Sequence, residues 1–487
     1  MKRHQHSLSH YNLTTCDMGE LVPIGCVEVL PGDSFAHQTS ALIRSLPLVL
    51  PVMHPIQVRI HHWFVPNRLV WDGWESFITD PNDVSLPPTI ATTTDTGKLE
   101  DYFGLPRVTG HQVCALPFRA YNKIFNEFYR DQDLVTEVDE DSTALQNVAW
   151  AKDYFTGARP WTQKGPDVTI PIGERAPVYG VGMDSASSFN ATNEAVRETG
   201  GVDRTYLNAS SSSNDTHVFQ FEEDPDNPTY PNIWADLSSA EGVDVNELRR
   251  AFAIQRYQEA RSRFGSRYSE YLRYLGVRPS DARLQRPEYL GGGKQLISFS
   301  EILQTAEPFD GNASLDSSLG KMGGHGIASM RTRRYRRFFE EHGYVLSLLS
   351  CRPRSIYSQG IHRSWSRKTK EDYWQKELEH IGQQEVYQKE LHGAAADEVV
   401  FGYSDRYREY REQPSYITGE MRVDEALDSF HFARKFETGP ALNEDFIKCV
   451  PTKRPHAVET NDVLWLMINH SIRAKRLVSR NAGGKIL

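Results

Sequence analysis

The chain has 487 residues, with 55 Lys and Arg against 64 Asp and Glu, giving a formal charge of −9. That length allows about three domains of ~150 residues, or one large domain with insertions, and 39% hydrophobic residues suffice for a real core. The charge excludes a polybasic, histone-like binder, so any contact with nucleic acid must be local. Cys16, Cys26, Cys114, Cys351 and Cys449 are scattered without a CxxC pair, which excludes a zinc ribbon or a dense disulfide framework and predicts reduced thiols.

The first residues, MKRHQHSLSHYNLTT, lack the apolar centre of a signal peptide, so export by the usual signals is not expected. His4, His6 and His10 read as part of a mobile arm. Residues 21–30 (LVPIGCVEVL) are a short apolar run. Residues 46–53 (LPLVLPVM) are broken by two prolines and fall far short of the ~20 residues of a membrane span.

Residues 56–65 (IQVRIHHWFV) alternate. Ile56, Val58, Ile60, His62 and Phe64 share one face, which predicts a half-buried strand. His61 and His62 then point to opposite faces and chelate poorly. In 117–131, Tyr121, Ile124, Phe125 and Phe128 make a helical stripe behind Pro117.

Between Val181 and Asn232 lie nine acids, two arginines and a run of four serines, which predicts an exposed acidic insertion with Tyr206, Phe219 and Phe221 as contact aromatics. A helix is expected from near Asp244 to Phe264, and another carries Tyr268, Tyr271, Leu272 and Leu275. Gly291–Gly292–Gly293 lacks the following GK[ST] of a phosphate loop and reads as a turn.

Five arginines, Arg331, Arg333, Arg334, Arg336 and Arg337, crowd into seven residues. On an unbroken strand neither face of this knot could enter a dry core, which leaves contact with DNA or ion pairs with carboxylates of a neighbouring subunit. Apolar runs follow at 344–351 and 463–468. The end of the chain carries Arg473, Lys475, Arg476, Arg480 and Lys485 with no acid. The strands follow no βαβ rhythm, so an antiparallel sheet with long excursions is expected. No GxSxG, HExxH or Walker loop occurs, and no catalytic, cofactor or metal residue can be named.

Six stretches carry a resemblance. Residues 8–35 (LSHYNLTTCDMGELVPIGCVEVLPGDSF), 116–134 (LPFRAYNKIFNEFYRDQDL), 150–173 (WAKDYFTGARPWTQKGPDVTIPIG), 281–293 (DARLQRPEYLGGG), 339–367 (FEEHGYVLSLLSCRPRSIYSQGIHRSWSR) and 401–422 (FGYSDRYREYREQPSYITGEMR) closely resemble major capsid proteins of the Microviridae, particularly gokushovirus-like members, in family order. The window 181–240 and the last thirty or so residues have no clear counterpart.

The resemblance implies a mainly β fold: an eight-stranded antiparallel jelly roll with long inter-strand loops, a few helices and a large surface insertion. Its layout would be 1–180 for the arm and first strands, 181–240 for the insertion at a threefold protrusion, and 241–487 for a helical loop region, the remaining strands and the basic tail. The implied function is a sixty-copy T=1 icosahedral shell around circular single-stranded DNA, with no enzyme activity and no cofactor. The implied partners are further copies of itself, the DNA, a small basic DNA-binding virion protein and a bacterial surface receptor, without membrane insertion. Localisation would be the virion, assembled in the host cytoplasm.

Arg473, Lys475, Arg476, Arg480 and Lys485 are expected as a tail, either inside against DNA or as a solvated arm or inter-subunit strap. The loops 352–367 and 403–416, rich in Tyr, Trp and Arg, would either meet neighbouring subunits or pack on their own. The alternative is a lectin- or adhesin-like β-sandwich, which needs an export signal. A further alternative, an enzyme acting on single-stranded nucleic acid, needs an acidic or metal site.

Overall fold

The computed structural model describes residues 3–80, 85–166, 168, 178–179, 195–197, 203–205, 234–235, 245–264, 267–303, 305, 322–396 and 398–479. The chain divides into two units, Met1–Thr162 with Arg261–Leu487, and Gln163–Ala260. Within the second, Val178–Tyr179 pairs with Trp234–Ala235 and Ala195–Arg197 with Asp203–Thr205, both antiparallel.

The framework of the first unit is eleven strand segments: β1 (His4–Ser7), β2 (His10–Cys16), β3 (Leu21–Val29), β4 (Ser34–Ser45), β5 (Ile56–Pro66), β6 (Glu288–Leu296), β7 (Ser298–Leu303), β8 (Met322–Arg331), β9 (Tyr335–Phe338), β10 (Gly343–Pro353) and β11 (Leu464–Arg476). One sheet runs β6–β5–β10–β3. The other has β11 and β4 at its centre, with β1 and β2 both paired to β11, β8 and β9 both paired to β4, and β7 on the edge. All these pairings are antiparallel, and the two sheets form the sandwich of a jelly roll. Long excursions of this unit hold several helices, among them α1 (Leu116–Ile124) and α3 (Tyr268–Tyr274), while α2 (Val245–Phe264) belongs mostly to the second unit.

The two sheets differ in what covers them, and the sequence pattern follows. In β4 and β11 buried and outward residues alternate almost without break. Their inner residues, such as Ile43, Leu466 and Ile468, pack on Ile56, Val58, Ile60 and Leu349 of the opposite sheet. Strands β3 and β10 read as near-continuous apolar runs because they are covered on both sides. Their second face, with Trp63 and Val65 of β5, lies under Phe118, Tyr121, Ile124 and Phe125 of α1 and the π turn that continues it. The strand at 56–66 therefore alternates between buried and partly buried residues as far as His61, as expected, and is buried on both faces from His62 to Pro66.

Three further expectations are corrected. His4, His6 and His10 are not in a mobile arm, because β1 and β2 pair along β11. Gly291–Gly293 is not a turn but lies inside β6. The register shifts between Tyr289 and Gly291, and a Cβ at Gly292 would stand 2.2 Å from the Ile60 carbonyl oxygen, so only glycine allows this approach. The arginine knot is not one strand: β8 ends at Arg331, and the chain steps inward at Thr332 before β9 begins. That break buries Thr332 and Tyr335, so the face carrying Tyr335 does enter the core.

Those two residues meet a buried histidine network between the sheets. The His470 Nε2–H donates to the Ile24 carbonyl (3.0 Å), so its Nδ1 accepts, 3.1 Å from His37 Nε2 and 2.9 Å from the Thr39 hydroxyl. His37 Nδ1 then accepts from the Tyr335 hydroxyl at 3.0 Å. His62 bonds Ser347 Oγ at 2.8 Å, with its ring centroid 4.6 Å from that of His37. His10 stacks on His470 at 4.9 Å. Gly25 makes the room, since a Cβ there would lie 2.8 Å from His470 Nε2.

Burial, reinforced by the neighbouring imidazoles, lowers His37 to about 2, His62 to about 3 and His470 to about 4. A base depressed on folding is neutral in the native state and charged in the unfolded chain below its ordinary value of about 6.5. The stability it supports is complete above that pH and is lost as pH falls from 6.5 towards about 4 for His470, about 3 for His62 and about 2 for His37. Denaturant midpoints should hold between pH 7 and 8 and fall by pH 5, by up to about 2 kcal/mol per buried imidazole. A flat profile would refute the neutral network.

Candidate nucleic-acid interface

The outward side of the β11-centred sheet is a grid fixed by register. From one end, Thr15, Trp465, Arg44 and Ile327 form a row; then Leu13, Met467, Leu42 and Ser329; then Tyr11, Asn469, Ser40 and Arg331. Beyond Ser471 and Gln38 come Ser7, Arg473, Ala36 and Arg336, and finally Gln5, Lys475, Ser34 and Phe338. Rows two residues apart are ~6.7 Å from each other, so the grid runs for ~33 Å. Its members are exposed or half-exposed. No Asp or Glu occurs in β1, β2, β4, β8, β9 or β11; carboxylates near the grid include Asp462, just before β11, which accepts from the Thr15 hydroxyl, and Glu301 on the edge strand β7.

Two basic segments distant in sequence therefore meet. Arg473 and Arg336 flank Ala36 on its two sides, about 9–10 Å apart by strand spacing. Arg331 and Arg334 both donate to Gln38 Oε1, at 2.9 and 3.3 Å, and Gln38 in turn donates to the Thr332 carbonyl. Arg3 joins them, bonding Ser34 Oγ at 2.9 Å over the Phe338 ring. The side chains of Arg333, Arg336, Arg473 and Lys475 have no carboxylate partner among the described residues.

Two predicted residues are otherwise engaged. Arg337 pairs with Glu288 of β6 at 2.8 Å. Arg476 pairs with the fully buried Asp33 at 3.0 Å and covers the Phe35 ring. Burial pushes Asp33 upward, while the Leu30 amide and Arg476 oppose the shift. Residues 473–476 are thus the end of a central strand, not a tail. Arg480 and Lys485 lie outside the described residues, as do Tyr206, Phe219 and Phe221 of the acidic window.

The loops 352–367 and 403–416 are largely tied to their own chain. Arg363 pairs with Glu390 at 3.3 Å, Arg367 lies 3.6 Å from Glu409 and over the Tyr410 ring, and Arg408 bonds Glu412. Trp365 and Tyr416 stay exposed beside a groove of about 1160 Å³. His61 bonds Tyr129 while His62 points between the sheets, so the pair cannot share an ion. No group of three metal-ligating side chains occurs among the described residues.

Sequence reasoning missed Arg3, Arg44, Gln38 and the apolar end of the grid. Part of the signal was there. The alternation beginning at Leu464 continues unbroken to Lys475, and stopping the strand at Ile468 hid it. The cross-strand neighbours come from long-range pairing, which no local pattern encodes.

A family profile described as Capsid protein (F protein) matches residues 1–474. The chain is 34% identical to the capsid protein VP1 of Chlamydia phage 1, covering 94% of this chain and 91% of that one. It is 36% identical to the capsid protein VP1 of Bdellovibrio phage phiMH2K (92% and 88%), and 30% identical to that of Spiroplasma virus 4 (91% and 86%).

The two kinds of arginine should separate on substitution. Arg476→Ala strands a buried carboxylate and is expected to cost on the order of 3 kcal/mol. Arg473→Ala, three residues earlier on the same strand, should stay within about 0.5 kcal/mol. Urea titration of both variants checks this, and equal losses would contradict the assignment.

Proposed function

The chain belongs to the capsid protein (F protein) family, a structural protein of the virion that assembles with copies of itself and is not an enzyme, and we propose that sixty copies close a T=1 icosahedral shell around circular single-stranded DNA with the acid-free sheet face turned to the genome. The observation that carries the inward assignment is the convergence of Arg331, Arg334 and Arg336 with Arg473 and Lys475 on one face, on strands that carry no Asp or Glu, in a chain whose net charge is −9. Phosphates supply the missing counter-charge there.

The rest of the proposal follows from the same bookkeeping of charge. Seven cations per subunit (Arg3, Arg44, Arg331, Arg334, Arg336, Arg473, Lys475) neutralise only part of a genome, so a small basic virion protein is a fitting partner. The acidic insertion at 181–240 would be repelled by DNA, which supports placing it outward, at a protrusion that meets a receptor on the bacterial host. The relatives are named as viruses of Chlamydia, Bdellovibrio and Spiroplasma, which supports a bacterial host and assembly in its cytoplasm. Exposed Trp365 and Tyr416 suit contact between subunits.

Electron microscopy and sedimentation of the chain co-expressed with its phage genes should give closed particles of one diameter with nuclease-protected single-stranded DNA; a lasting monomer would end the proposal. For the dissociated subunit on single-stranded DNA, log K against log salt should fall with a slope of about −5 if all seven cations meet phosphates. Replacing Arg336, Arg473 and Lys475 by Ala should flatten that slope by about 2.

A further inference from the structure

The apolar end of the grid does not belong with a face built only for phosphates. Tyr11 is 70% exposed, Leu13 75%, Trp465 45% and Met467 45%, and their registers place them side by side on β2 and β11. We infer that this end is a base-stacking platform, on which unpaired bases of a single strand lie against Trp465 and Tyr11 while the phosphates follow the cations, so that the face selects single strands over duplex. The inference rests on the reading that this face meets the genome.

Three observations fix the occupant. The cations border the platform directly: Arg44 stands opposite Trp465 on the neighbouring strand, and Arg331 closes the row that begins at Tyr11. A second copy docking face to face through these strands would bring apolar groups but leave Arg44 and Arg331 unanswered, because the same strands offer no carboxylate in return. A duplex would satisfy the cations and hold its bases away from the rings.

Only an unpaired strand presents both a charged edge and an apolar one, and aromatic stacking accepts any base. The rings also stand beside polar groups. Asn469 Nδ2 donates to the Tyr11 hydroxyl at 3.4 Å, and Ser40 lies next to Asn469, both able to meet base edges.

The test uses the full chain, as assembled particles and as dissociated subunits. Ultraviolet cross-linking of wild-type particles, read by mass spectrometry, should yield nucleotide adducts on peptides containing Tyr11 or Trp465. Binding of an unstructured deoxythymidine oligonucleotide should exceed binding of a duplex of equal length. Trp465→Ala and Tyr11→Ala should each weaken the single strand roughly 5- to 100-fold, with the duplex and the salt slope unchanged, and Trp465→Phe should restore most of the loss.

Adducts found only elsewhere, or equal losses on single strand and duplex, would overturn the platform. If Arg473→Ala with Lys475→Ala weakens both nucleic acids while the aromatic variants weaken neither, the genome-facing reading survives and this inference fails. If no nucleic acid binds to the wild-type subunit, both fail. Loss of particles in the aromatic variants with oligonucleotide binding intact would assign the patch to contact between copies and refute the platform.

Discussion

The exposed sheet depends on one pairing, the antiparallel alignment of Leu464–Arg476 with Ser34–Ser45. Twelve residues of β11 are matched in sequence, from Leu464 opposite Ser45 to Lys475 opposite Ser34. Because side chains alternate, this register decides two things together. It sends Leu466, Ile468, His470 and Ile472 into the sandwich, and it lines up Trp465, Met467, Arg473 and Lys475 outside. A slip of one residue would bury the cations and expose the core. The basic face is thus held in place by the same packing that stabilises the fold.

Much of the architecture was legible because the two sheets have different surroundings. Strand 56–65 and the apolar runs at 21–30 and 344–351 were readable as strands, and the stripe Tyr121, Ile124, Phe125, Phe128 as a helix. What could not be read was coverage. Nothing local says that α1 lies over Trp63 and Val65, so the half-buried reading holds as far as His61 and fails beyond it. The glycine run at 291–293 has the composition of a turn, and only the approach of the Ile60 carbonyl explains it as a bulged strand. The arginine knot misled for a related reason: an inward step at Thr332 resets the alternation, and Tyr335 becomes a core residue bonded to His37. The fates of Arg473 and Arg476 were equally hidden, since they depend on Asp33, more than four hundred residues away in the chain.

The histidine network ties the basic surface to the core. Thr332 and Tyr335 are the inward residues of the knot, and they are anchored on Thr39 and His37. His37 and His470 each have a defined donor and acceptor, and His62 bonds only hydroxyls, so the arrangement is satisfied while neutral. Neutrality has a second consequence. A charged pair here would cost desolvation, and carboxylates near the sheet would offset the surface cations. Polar but uncharged residues give the centre of the sandwich directional bonds and leave the field of the outer face undiminished.

On the proposed genome-facing reading, affinity per subunit must nevertheless be limited. A shell that bound its genome tightly at every copy could neither sort mismatched contacts during assembly nor release the DNA. The arginines of this face divide accordingly. Arg337 and Arg476 hold carboxylates and act in the fold, whereas Arg336, Arg473 and Lys475 have no carboxylate partner among the described residues and stand exposed, where a phosphate contact would be weak and screened by salt. In a closed shell the copies face one polymer, and every contact after the first becomes intramolecular. On that reading a modest basic face repeated by symmetry suffices, and the negative charge carried elsewhere on the chain would oppose indiscriminate binding of nucleic acid by the dissociated subunit.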